Sequence, residues 1–180
     1  ERNDRPGGAI CTSTDRVPGF TLELLSSWHP LFVGGPAYGE LAGDLASRGV
    51  EYLNTPLPTG VVCSSGTAVL STDPAITAAQ FEALGDLDAW NRTMGDFGAK
   101  ANLAFGLLGT DFWRRNSLKF GWGALRQLGR RKLVASGAEL LEPAAPWLDR
   151  TFSSPVSHAL LAPWALHNGL GPDDAASAFI

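Results

Sequence analysis

Thr67-Ala68-Val69-Leu70-Ser71-Thr72-Asp73-Pro74-Ala75-Ile76 holds the change of texture on which the fold class turns. Thr67 to Ser71 reads as a short strand. Asp73-Pro74 reads as a helix start, with a capping carboxylate followed by proline at the first helical position. Downstream, Ile76, Ala83, Leu87, Trp90, Met94, Phe97, Ala101 and Leu108 recur at helical steps. They predict one broad apolar face along one or two helices, with Gly95 and Gly98 as candidate breaks. Further helices are expected over 117–133, 144–152, 155–168 and from Pro172 onward, with Ser153 or Ser154 capping and Gly169 terminating. Upstream, Gly60 to Ser64 pairs with Thr67 to Ser71 as a hairpin across Ser65-Gly66, and Val50 to Asn54 reads as another short strand. Pro36 to Arg48 predicts a helix ending at Gly49, and Ile10-Cys11-Thr12 and Phe20 to Leu24 are strand-like between Pro-Gly turns. The expected class is therefore α+β, β-rich to about residue 72 and mostly helical over 73–180.

Composition narrows the function classes. The chain has 180 residues, 44% hydrophobic and 18% charged, with a net charge of -4, enough for a compact core and unlike a disordered tract. Its two cysteines, Cys11 and Cys63, form neither a disulfide framework nor a zinc spacing, and reduced, buried thiols in a cytoplasmic protein are expected. The stretches 52–72 and 151–172 lack charge but are broken by proline, glycine and polar residues, so no spanning helix is expected. The opening Glu-Arg-Asn-Asp-Arg leads into no apolar segment of a secretory signal. With Met94 the single methionine, the chain reads as an internal portion of a longer protein.

Residues 1–8 carry the most specific pattern, Glu1, Arg5, Gly7 and Gly8 in E-x-x-x-R-x-G-G. A carboxylate can accept both hydrogen bonds of a ribose diol, adjacent glycines let backbone N–H groups approach a phosphate, and arginine supplies the countercharge. The same residues also suit a charged tail entering a Gly-Gly turn.

This spacing resembles the adenine-dinucleotide site of FAD-dependent oxidoreductases of the amine oxidase and phytoene desaturase type, whose familiar form is E-x-x-x-R-x-G-G-R. Ala9 stands at the final arginine. Gly19-Phe20 followed by Glu23-Leu24-Leu25-Ser26-Ser27-Trp28 is similar to the segment G-[FY]...D-x-G-x-x-W that passes beside the flavin in that family, with Glu23 for Asp and Leu25 for Gly. Residues 151–178, including Ala159 to Ala162 and Gly169 to Pro172, resemble a helical stretch of phytoene desaturase-like proteins. The resemblance implies a fragment of an α/β, Rossmann-like flavoprotein, with 1–35 a remnant of the FAD-binding domain and 36–180 a substrate domain.

It further implies FAD as cofactor, held by Glu1, Arg5, Gly7 and Gly8, with Ser26, Ser27, Trp28 and His29 beside the flavin. The flavin would accept a hydride from an apolar substrate, and no catalytic side chain is singled out. An aromatic pocket would suit that substrate, lined by Trp90, Phe97 or Trp164, although these residues equally suit ordinary core. The family's G-x-G-x-x-G belongs about 20 residues before the acidic residue and does not occur in this chain. Gly121-Trp122-Gly123 comes nearest, with Arg126 at the third glycine. The chain alone is therefore expected to bind FAD weakly or not at all. A non-catalytic apolar-ligand or membrane-surface module, lacking the flavin half, is the alternative.

Arg114 to Lys132 holds seven of the 14 cations and no acid. As a helix it would set Leu118, Trp122, Leu125 and Leu133 on one face flanked by Arg115, Lys119, Arg126 and Arg130, the pattern of peripheral membrane contact. A solvated helix face accounts for the same residues. Nucleic acid is not expected, since the chain is acidic and carries no recognised motif. His29, His158 and His167 show no metal-ligand spacing, and the last two read as structural. Ser64 and Ser65 do not form a nucleophile elbow, and the sequon Asn91-Arg92-Thr93 has no secretory context.

Overall fold

The computed structural model describes the chain apart from residues 1, 3, 27, 112, 179 and 180, and apart from the side chains of residues 107, 108, 116 and 168. It divides into two compact units, 1–53 and 54–180.

In unit 1–53, β1 (Thr12–Ser13) pairs antiparallel with β2 (Leu22–Glu23), setting Thr12 opposite Glu23. A single turn, α1 (Pro30–Val33), precedes α2 (Pro36–Ser47). Proline opens both helices, its fixed φ suiting the first turn. Val50 N–H donates back to Leu45, and Gly49 has φ +80, the left-handed conformation that closes a helix. Phe32, Tyr38 and Tyr52 meet one another at 5.5–6.3 Å between ring centroids. None of the described residues in this unit is fully buried, so Cys11, expected to be buried, is exposed, and Cys63 of the second unit is only half-buried. Val50 to Asn54 is irregular rather than the expected strand, because it has no partner strand to supply a ladder.

Unit 54–180 opens on a hairpin of β3 (Thr59–Cys63) and β4 (Gly66–Leu70), with Cys63 opposite Gly66. Its two-residue turn is Ser64-Ser65, one position earlier than the spacing predicts, because Gly66 is already a strand residue. Gly66 takes φ +146, and a Cβ there would stand 3.3 Å from Val156. Asp73 caps α3 (Pro74–Ala83) as expected, its carboxylate accepting the Ala75 N–H at 2.8 Å. Thr77 clamps the entry, since its hydroxyl accepts from the Ser71 N–H and donates to the Ser71 carbonyl.

Helix α4 (Leu87–Leu108) runs through Gly95 and Gly98 unbroken, whereas α5 (Asn116–Leu140) is kinked at Gly129, with φ 73 and ψ 163. Then follow α6 (Ala144–Thr151), α7 (Pro155–Leu161) capped by Ser154, and a 3-10 helix Ala162–Asn168 ended by Gly169 at φ 73. The expected helix beyond Pro172 is replaced by turns. Asp174 ties its carboxylate to the Gly171 N–H, Ala176 takes a positive φ, and Ala176 and Ala178 donate to Leu141 and Glu142. The core joins Ala68 of the hairpin and Phe81 of α3 to Leu148, Phe152, Val156 and Leu160. The architecture is a small antiparallel β element with helices, hence α+β.

Candidate functional site

In unit 1–53 the dinucleotide-like residues fall on a turn. Gly7 and Gly8 have φ +137 and +58, and the Ile10 N–H donates to the Gly7 carbonyl at 2.9 Å. A Cβ on Gly7 would lie 2.7 Å from the Ile10 carbonyl oxygen, so only glycine fits. Around Gly8 nothing lies within 4 Å of where a Cβ would stand. Arg5 is exposed. Glu1 and Ser27, both assigned to the site by resemblance, lie outside the described residues.

The stretch beside this turn is organised by Glu23. Its carboxylate accepts the N–H groups of Cys11 at 2.7 Å, Ser26 at 3.2 Å and Leu25 at 3.3 Å, and the Thr12 hydroxyl at 3.4 Å. The Cys11 N–H foremost holds the carboxyl below its ordinary range against the opposing effect of burial, with the Leu25, Ser26 and Thr12 donors adding to it. The anion thereby fixes the segment that carries Ser26, Trp28 and His29. The Ser26 hydroxyl lies 2.7 Å from His29 Nε2, and the imidazole packs edge-on to Tyr52 at 5.9 Å. Trp28 is 50% exposed and Leu25 76%.

Unit 54–180 contains a separate apolar cleft of about 170 Å³. Trp90, Trp147 and Trp164 line it with Leu70, Met94, Phe152 and Leu161, and Thr93 contributes a hydroxyl. No lining residue is charged. Two of the three aromatics expected around a pocket, Trp90 and Trp164, are therefore here, whereas Phe97 packs against Phe105 instead. Trp90 also stacks on Phe81 at 4.3 Å, so one ring serves both core and cleft.

The residue that composition and spacing did not single out is Asp86. It is 3% exposed and accepts from the N–H groups of Ser153 at 2.7 Å and Ser154 at 3.0 Å and from the Ser157 hydroxyl at 2.7 Å. Burial alone would raise its pKa, but these three donors, with His158 adding a smaller Coulombic attraction, lower it below the ordinary value. It pins the start of α7 to the start of α4 and so shapes the cleft wall at Phe152. Gly85-Asp86 between two helical patterns was the available signal, though its partners lie some seventy residues away.

Of the remaining histidines, His158 Nε2 bonds the Phe152 carbonyl at 2.9 Å, and His167 Nδ1 the Trp164 carbonyl at 3.2 Å. Gly121 and Gly123 lie inside α5, not on a strand-to-helix turn. Among the described residues no three His, Cys, Asp or Glu side chains gather as a metal site, and no helix is long and apolar enough to cross a membrane. No family model, curated protein or solved structure matches the chain.

Proposed function

We propose that this chain is part of an FAD-dependent oxidoreductase resembling phytoene desaturase-like proteins, whose Rossmann-like FAD-binding domain extends beyond it. The reading rests chiefly on the Gly7-Gly8 turn. The open backbone at Gly8 and the neighbouring exposed Arg5 fit a pyrophosphate, because nothing lies within 4 Å of where a Cβ on Gly8 would stand and a guanidinium supplies the countercharge. The exposed Ile10, Phe20, Leu25, Leu31 and Leu53 of unit 1–53 also suit a layer that other chain covers.

Arg5, Gly7 and Gly8 would hold the dinucleotide, with Glu1 on the ribose, and the bound flavin would supply the hydride acceptor. The Glu23-ordered segment would place Ser26, Ser27, Trp28 and His29 beside it. The uncharged cleft of unit 54–180 would take the substrate and keep water from it. Its volume is near the ~150 Å³ at which an apolar cavity holds benzene, so it accommodates a ring or a short length of chain, not a whole polyene. The free Cys11 and Cys63 suit a reducing compartment, and we assign the protein to the cytoplasm.

The test is to express the complete reading frame and titrate it with FAD. Flavin that copurifies, and binding that weakens at least tenfold in Arg5→Ala and Gly8→Val variants, is the expected result. A complete protein that neither copurifies with flavin nor binds added FAD overturns the reading. A second reading then stands, a ligand-binding module without flavin, because every residue lining the cleft belongs to 54–180.

A further inference from the structure

The first half of α5 has two opposite faces. Ala124 is buried and Phe120 half-buried, the Phe120 ring edge lying 2.8 Å from where a Cβ on Gly106 of α4 would stand. On the other side Arg115, Leu118, Lys119, Trp122 and Arg126 fall within an arc of roughly 100°. All five are exposed, Leu118 by 74% and Trp122 by 59%. Gly121 and Gly123 on either side of Trp122 carry no side chain, and the Arg126 guanidinium sits 5.6 Å from the indole centroid. Trp113, in the turn before α5, is 98% exposed. The Gly129 kink ends this face, so Leu133 does not extend it.

Large apolar groups on a solvent face cost solubility unless something covers them, and the surrounding charge identifies the cover. Cations alone flank Leu118 and Trp122, and residues 112–138 contain no Asp or Glu. Arg114 is paired with Asp111 at 3.0 Å, but it lies off this stripe. An amphipathic indole at the level of a ring of Arg and Lys is the arrangement that seats at a lipid headgroup boundary. We propose that this face of α5 docks on an anionic lipid bilayer. The inference rests on unit 54–180 alone and does not depend on flavin.

The test is flotation of the chain with vesicles of equimolar phosphatidylcholine and phosphatidylglycerol, against phosphatidylcholine alone. Binding to the anionic vesicles only, falling as salt rises, is the expected result. Lys119→Gln with Arg126→Gln lowers the partition coefficient roughly thirtyfold, from about fivefold per neutralised cation. Trp122→Ser lowers it roughly tenfold. Arg16→Gln with Arg48→Gln removes the same charge elsewhere and leaves it within about twofold. Circular dichroism checks that each variant folds, and the salt titration of the unaltered chain tests the charge contribution with no substitution at all. Equal binding to both vesicle types, flotation insensitive to salt, unchanged binding in the α5 variants, or capture by single-stranded RNA without flotation each overturns the proposal.

Discussion

Glu23 and Asp86 do the same thing in different surroundings. Each is a carboxylate that gathers backbone N–H groups and a hydroxyl from a neighbouring segment, and each is held below its ordinary pKa by those bonds. Asp86 sits in unit 54–180, 3% exposed, with Phe81 and Phe152 in the adjoining core. Glu23 sits on the surface of unit 1–53, in which no described residue is fully buried. The same hydrogen-bond valency therefore does two jobs. Where the carboxylate is buried, losing the anion strands the buried Ser157 hydroxyl and frees the N–H groups of Ser153 and Ser154. Where water is present, it replaces the anion, and the carboxylate only selects a loop conformation.

The comparison is broken most forcefully in the core. Phe81→Ala removes a ring that is fully buried and stacked on Trp90, and it should cost about 3–5 kcal/mol in urea denaturation followed by circular dichroism. Asp86→Ala should follow at about 3 kcal/mol by the same measurement, since two N–H groups and a hydroxyl lose their acceptor. If Asp86→Ala costs no more than an average surface substitution, the contrast between the units is wrong.

Acid sharpens the same contrast. Because the folded-state pKa of Asp86 is depressed, its contribution is complete above the unfolded value of about 3.9 and is lost as pH falls from there through the folded value. The urea midpoint of the unaltered protein should drop across that window, and Asp86→Asn should flatten this part of the profile. The smallest expected effect is at Glu23. Glu23→Gln should leave the main unfolding transition in place while speeding amide exchange at Cys11, Leu25 and Ser26, read by hydrogen–deuterium exchange. Faster exchange at those three amides without loss of the transition would show that Glu23 selects a conformation and does not carry the fold.

Local signals were legible in the sequence and distant ones were not. Asp73-Pro74 and Ser154-Pro155 mark helix starts through their own side chains, and both cap as the residue types dictate. The hairpin turn falls one residue before the position its spacing suggests, because a Ser-Ser-Gly run does not say which pair makes the turn. Val50 to Asn54 looked like a strand since strand propensity is local, while pairing needs a partner. The turns beyond Pro172 depend on backbone bonds to Leu141, Glu142 and Ala145, about thirty residues earlier, which no periodicity encodes. At the candidate site, Trp90 and Trp164 were legible as aromatics on apolar faces. Trp147 and Asp86 were not, because what distinguishes them is the company that packing brings.

The stacking of Trp90 on Phe81 gives the molecule an optical property. This indole stacks on a buried ring of the core and also lines the cleft. Its emission therefore responds to whatever replaces water in the cleft and to any loosening of the ring beneath. Occupancy of the cleft and integrity of the core therefore meet at one ring, one of three tryptophans that line the cleft.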